Sequence, residues 1–110
     1  MTDALQPNPM EIMRSAAPEG ARTYSEHRAA IMDNPNLQAV PLKYKLLVGI
    51  GVAAALQSST CTMQWAKQAV QAGATQEEIV EAILVSRLMK AATVNDTAAD
   101  ALAWMHATAK

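Results

Sequence analysis

The stretch QAGATQEEIVEAI, Gln71 to Ile83, holds the end of one helix and the start of the next. Gly73 is the expected stop, because glycine enters the left-handed conformation that closes a helix without a Cβ penalty. Thr75 with Glu78 three residues later reads as a capping box, in which threonine and glutamate satisfy each other's exposed N–H groups. Beyond it, Ile79, Val80, Ile83, Leu84, Leu88 and Met89 recur at helical spacing. Two helices joined by a tight Gly-Ala-Thr connection are therefore predicted here.

Upstream, Ser58, Ser59 and Thr60 are all good N-cap residues, so the first of these helices should run from there to Ala72. Before it lies LLVGIGVAAAL (46–56), in a helix that Pro41 can open and that should end near Gln57. Gly49 and Gly51 lie inside that helix, and each costs about 1 kcal/mol relative to Ala. Their return is close approach by a neighbouring helix. The pattern is apolar on nearly all sides, so this helix is expected to be central. Towards the N-terminus, residues 1–9 read as a flexible arm, followed by a short helix over 10–16. A second helix opens on Pro18 and reaches Met32, and DNPN (33–36) makes a turn. Towards the C-terminus, Thr93 or Asn95 should cap a last helix ending near His106. The sum is an all-α protein of about six helices in a single domain, 1–110.

Composition agrees. The chain of 110 residues contains no Phe and only four aromatic residues, while 51% of it is hydrophobic. Its core must be built from Ala, Leu, Ile, Val and Met, of which Ala, Leu and Met favour helix. A chain this small has much surface for its volume, so the apolar surplus points to subunit contacts and a homo-oligomer. A net charge of −1 with no long charge run excludes the footprint of a nucleic-acid binder. One cysteine excludes an internal disulfide. Two distant histidines with that cysteine make no credible zinc site, so no metal and no cofactor is expected. The 11-residue apolar run is too short to span a membrane, and MTDALQPNP lacks the regions of a signal peptide. A cytoplasmic location and no membrane partner follow as expectations.

The order of these signals resembles one known family. A VPLKYK stretch leads into an alanine-rich central helix. A cysteine follows at the next helix start, then AGATQEEIVEAI and LMKAAT (88–93). This resembles the carboxymuconolactone decarboxylase and alkylhydroperoxidase D-like family over roughly residues 37 to 105. The resemblance implies the all-helical alkylhydroperoxidase D-like fold and assembly as a trimer or hexamer. It also implies two lines of chemistry. One branch uses a C-x-x-C-x-x-x-H motif with an upstream Glu to reduce peroxides, and the other lacks the cysteine pair, keeps the His and decarboxylates a lactone acid. Here the first cysteine position is Ser58, the second is Cys61, the histidine position is Trp65, and the upstream glutamate falls on or near Leu46. The two-cysteine mechanism is therefore lost.

The candidate catalytic residue is Cys61. In the first turn of a helix its thiolate is favoured by backbone N–H groups, whereas burial beside Trp65 would oppose that; the other reading is a small buried residue. Ser58, Trp65, Arg87 and His27 are the candidate pocket residues. Trp65, on the Cys61 helix face, is either packing or an aromatic wall for a ligand. Arg87 must be paired if buried. It is either an ion-pair partner of Glu81, Asp96 or Asp100, or a clamp for a substrate carboxylate. His27 is either exposed or a replacement acid–base group. Three functions stay open: a decarboxylase-like enzyme acting on an organic acid or lactone, a non-catalytic oligomer that binds a ligand or serves structurally, and a one-cysteine thiol peroxidase or redox sensor.

Overall fold

The computed structural model describes residues 8–109, which form six α-helices and no strand. They divide at Leu42 into two compact units. The first holds α1 (Pro9–Ala16) and α2 (Pro18–Met32). Of the arm expected over 1–9, residues 1–7 lie outside the described residues. Of the other two, Asn8 caps α1 in a capping box with Glu11, and Pro9 is its first residue. Ala17 separates α1 from α2, and Pro18 opens α2 at a position where its missing N–H does no harm.

The second unit holds α3 (Leu42–Ala55), α4 (Ser59–Gln71), α5 (Gln76–Thr97) and α6 (Ala99–Thr108). Three contacts set α3 beside α5. The Lys43 ammonium lies 3.1 Å from the Glu78 carboxylate, Gly51 faces Ser86, and Ala55 lines a cavity with Lys90. The partners advance together by 35 residues, so the two helices run side by side in the same direction. On the other flank of α3, the Trp65 ring of α4 lies against Gly49.

The two glycines are what these approaches require. A Cβ at Gly49 would overlap the Trp65 ring, and one at Gly51 would overlap Ser86 Oγ. Ile50, between them, is fully buried, and Leu46 is 2% exposed. The expectation of a central α3 needs correction in part, because Val48, Val52 and the following Leu56 stay exposed. Two neighbouring helices cover only part of a helix that is apolar all round.

Both connections end as the local sequence dictates. Gly73 takes φ +95, and the Ala74 N–H donates to Ala69 O at 2.9 Å, closing α4. Thr75 and Glu78 form the expected capping box. The end of α3 is less expected. Gln57 takes the left-handed conformation at φ 64, and the Ser58 N–H donates back to Ala53 O at 2.9 Å. This is the same closing turn, made without glycine.

The last helix starts later than expected. Thr93 and Asn95 do not cap it: both lie inside α5, where Thr93 Oγ1 donates to Lys90 O at 2.6 Å. The break is at Ala98, which offers no side-chain cap. Helical hydrogen bonding runs across it, from Ala98 N–H to Val94 O and from Leu102 N–H to Ala98 O. α6 thus carries on from α5 and does not fold back along it. Neither α5 nor α6 has a buried residue, so the apolar set Val80, Ile83, Leu84, Leu88 and Met89 is not a core within this chain.

Candidate functional site

The turn at Gln57 lies between two cavities of the second unit. One, of about 430 Å³, is lined by the start of α4, including Ser58, Thr62 and Met63. The other, of about 460 Å³, lies between the end of α3 and the middle of α5 and is lined by Ala54, Gln57, Ile83, Ser86, Arg87 and Lys90 among others. Both volumes fall within the range of small-molecule sites.

Ser58 is held by its capping role. Its Oγ accepts from the Cys61 N–H at 3.2 Å, and its carbonyl accepts from Thr62 Oγ1 at 2.7 Å. This places Cys61 at the third residue of α4, in the first turn, where backbone N–H groups and the helix dipole favour negative charge. Cys61 is exposed, which corrects its reading as a small buried residue. The drying effect expected from Trp65 has no buried thiol to act on. Neither Cys61 nor Trp65 lines either cavity. Trp65 instead packs its ring against Gly49. Leu46, on or near which the resemblance puts the upstream glutamate, is buried and apolar.

Arg87, like Ser58, is a sequence candidate that the fold brings into a cavity. The ion pair expected with Glu81, Asp96 or Asp100 is not formed, and Arg87 has no side-chain partner among the described residues. The reason is exposure: Arg87 lies on an open face of α5, so water solvates the guanidinium and nothing forces a pairing. The 460 Å³ cavity is lined by two cationic side chains, Arg87 and Lys90, and by no carboxylate. The other polar groups there are Gln57 and Ser86, whose Oγ donates to Ala82 O at 3.1 Å. Alanine, isoleucine and valine make up the rest of the wall. Such a site suits an anion with an apolar body.

His27 stands exposed on α2 in the first unit, and His106 is exposed near the end of α6. Gln57 and Lys90 were not singled out by sequence reasoning. A polar residue just after an alanine-rich helix end was the one available signal for Gln57. Nothing local marks Lys90, which enters the site only because α5 lies beside α3.

Glu78 anchors the far end of the α3–α5 pair. Its carboxyl is held below its ordinary value first by the Thr75 N–H and then by Lys43, while Glu78 in turn raises the Lys43 ammonium. The pair is part-exposed, so it serves register more than stability. Among the described residues, no cluster of His, Cys, Asp or Glu could hold a metal, and no helix is long and apolar enough to cross a membrane.

Residues 18–107 match the model of the carboxymuconolactone decarboxylase family. A crystal structure of a protein from Methanobacterium thermoautotrophicum has the same fold, with a TM-score of 0.73 and 27% sequence identity. The match covers 80% of this chain and 92% of that one. No curated protein matches the chain.

Proposed function

The chain belongs to the carboxymuconolactone decarboxylase family, and on that premise we propose that it acts on a small organic acid or lactone without two-cysteine redox chemistry. The observation that carries this reading is the Arg87 guanidinium, unpaired among the described residues, on a mainly apolar cavity that no described carboxylate lines. Arg87 grips a substrate carboxylate with its planar fork, and the apolar wall receives the carbon skeleton. The Gln57 side-chain amide, held by its left-handed turn, donates an N–H to a carbonyl of the same ligand. Lys90 is the further proton carrier at this cavity. If the substrate loses carbon dioxide, the electron pair of the broken C–C bond passes into a conjugated carbonyl, and the Lys90 ammonium supplies the proton that quenches it. We read Trp65, which stands at the motif histidine position and lies against Gly49, as filling that place, so the ligand is taken further along, at the end of α3 beside Ala54 and Gln57.

Titration of the protein with a panel of aromatic and aliphatic carboxylic and lactone acids, followed by calorimetry and carbon dioxide release, tests this. Binding that Arg87→Met weakens at least ten-fold, with Cys61→Ala unchanged, is expected. Binding indifferent to Arg87→Met and Lys90→Met refutes the site. Binding without turnover leaves the same cavity as that of a non-catalytic ligand-binding protein.

A second reading rests on the exposure of Cys61 in the first turn of α4. Its thiolate attacks a hydroperoxide oxygen, the O–O bond breaks, an alcohol or water leaves, and Cys61 becomes a sulfenic acid. Ser58 cannot resolve that acid, so an external thiol must reduce it. Slow alkylation of Cys61 near neutral pH, no faster than a free thiol's, would exclude this reading.

The chain is also proposed to be a homo-oligomer, a trimer or hexamer. What supports this is the exposed apolar surface of α5 and α6, where Leu88 and Trp104 are each 69% exposed.

A further inference from the structure

α3 ends at Ala55 beside Lys90, and Val94 still lines a cavity with it, so the rest of α5 and α6 overhangs the body of the second unit. The overhang, residues 95–108, is roughly 21 Å of helix at 1.5 Å per residue. Isolated helices of that length are marginal in water. α6 is worse placed than most, because only Asp100, His106 and Thr108 are polar in ADALAWMHAT. Its Leu102, Trp104 and Met105 are all more than half exposed. A helix that is apolar all round belongs in a groove, where it is covered on more than one side.

The second unit carries such a groove. It runs along the open side of α3 and α5 and has a volume of about 580 Å³. Val48, Val52, Val85 and Met89 line it, all more than half exposed. From Tyr44 to Ala55 it follows 12 residues of α3, roughly 17 Å, which matches the roughly 15 Å of the ten-residue α6. α6 cannot reach the groove of its own chain, because it points onward from α5 and does not turn back.

We propose that α6 of one chain docks into the α3–α5 groove of a second copy. This rests on the homo-oligomer reading above and names its surfaces. As a cylinder about 10 Å across and about 15 Å long, α6 has roughly 470 Å² of side wall. Burying half to all of it, and receiving as much from the partner, hides roughly 500–900 Å² per chain, which brackets the roughly 800 Å² of a standard interface. Charge sets the direction. Lys90 is the one charged residue lining the groove, at its α3 C-terminal end, and Asp100 is the acid of α6. Pairing them lays α6 antiparallel to α3, with Leu102 near Val52 and Met105 near Val48.

The test uses the full chain with Cys61→Ser. Leu102→Cys protein is mixed with Val52→Cys protein and oxidised, as is Met105→Cys with Val48→Cys. Sedimentation reads the assembly, and mass spectrometry reads the cross-links. The expected result is an oligomer in which both mixed pairs cross-link between chains. Removal of residues 99–110 should then dissociate it while the helical circular dichroism of the remainder persists. An intact oligomer in which only Val52→Cys pairs with itself, or which survives the truncation, overturns the docking but keeps the homo-oligomer. A monomer in sedimentation overturns both. A Leu102–Val52 disulfide formed within one doubly substituted chain overturns the docking in favour of self-capping.

Discussion

Replacing Gly49 with alanine should destabilise the protein, although alanine is the better helix residue. In an open helix the change would stabilise by about 1 kcal/mol. Here the new Cβ would overlap two carbons of the Trp65 ring and crowd a third. The ring is rigid, with only two torsions to move it. Both partners sit on helices pinned by Ile50 and Ala69, each 0% exposed. Overpacking of this kind costs about 1–3 kcal/mol, and a clash with a fixed ring falls at the upper end. The expected net loss is about 2 kcal/mol, or roughly a 1 M fall in the urea midpoint for a small domain. The sign should invert in a Trp65→Leu background, where the space is vacated and the helix preference of alanine reappears as a gain of about 1 kcal/mol. The coupling between the two positions is then about 3 kcal/mol. Urea unfolding of the four proteins at one fixed concentration measures it. A midpoint that rises on Gly49→Ala in both backgrounds would refute the packing of Trp65 on Gly49.

Gln57→Gly should stabilise by about 1 kcal/mol, because glycine adopts the left-handed turn without the cost that a side chain bears there. If its amide serves the ligand, organic-acid affinity should fall in the same variant, and calorimetry separates the two effects. For Glu78 the sign follows from its lowered carboxyl. Its contribution is full above the ordinary carboxylate value near 4.5 and is lost as pH falls through the lowered one. Lys43, raised above 10.5, contributes below that value and loses its part as pH rises through the raised one. The stability gap between wild type and Glu78→Gln should therefore be flat from roughly pH 5 to 9 and close on acidification. A gap that widens in acid would contradict the pairing seen here.

Helix ends were readable from the sequence wherever one residue's chemistry decides them. Gly73, the Thr75–Glu78 box and Pro18 each act within four residues of chain, so spacing alone places them, whereas Ser58, Ser59 and Thr60 could each have capped α4 and the structure uses Ser58. The same locality explains the misplaced start of α6. Thr93 is an able cap by type, but as a residue of α5 it spends its hydroxyl on the Lys90 carbonyl, and the break falls at an alanine with no signal. The family segment and the loss of its cysteine pair and histidine were likewise plain, since they depend only on which residue stands at which spacing.

What the tertiary structure decided is everything that depends on which helices are neighbours. Periodicity marks α3 as apolar all round and gives α5 apolar residues at helical spacing, but it does not say which faces this chain covers. The structure leaves Val48, Val52 and Leu88 open and puts Trp65 and Ser86 against the two glycines. Arg87 and Gln57 lie 30 residues apart and have no local relation. They line one cavity only because α3 and α5 run parallel, with the Gln57 turn falling beside the middle of α5. Local rules act over one or two helical turns, whereas a binding site is set by the packing of elements distant in sequence. This sequence therefore determined the helices and the family, and the packing of α3 against α5 determined where a ligand can be held.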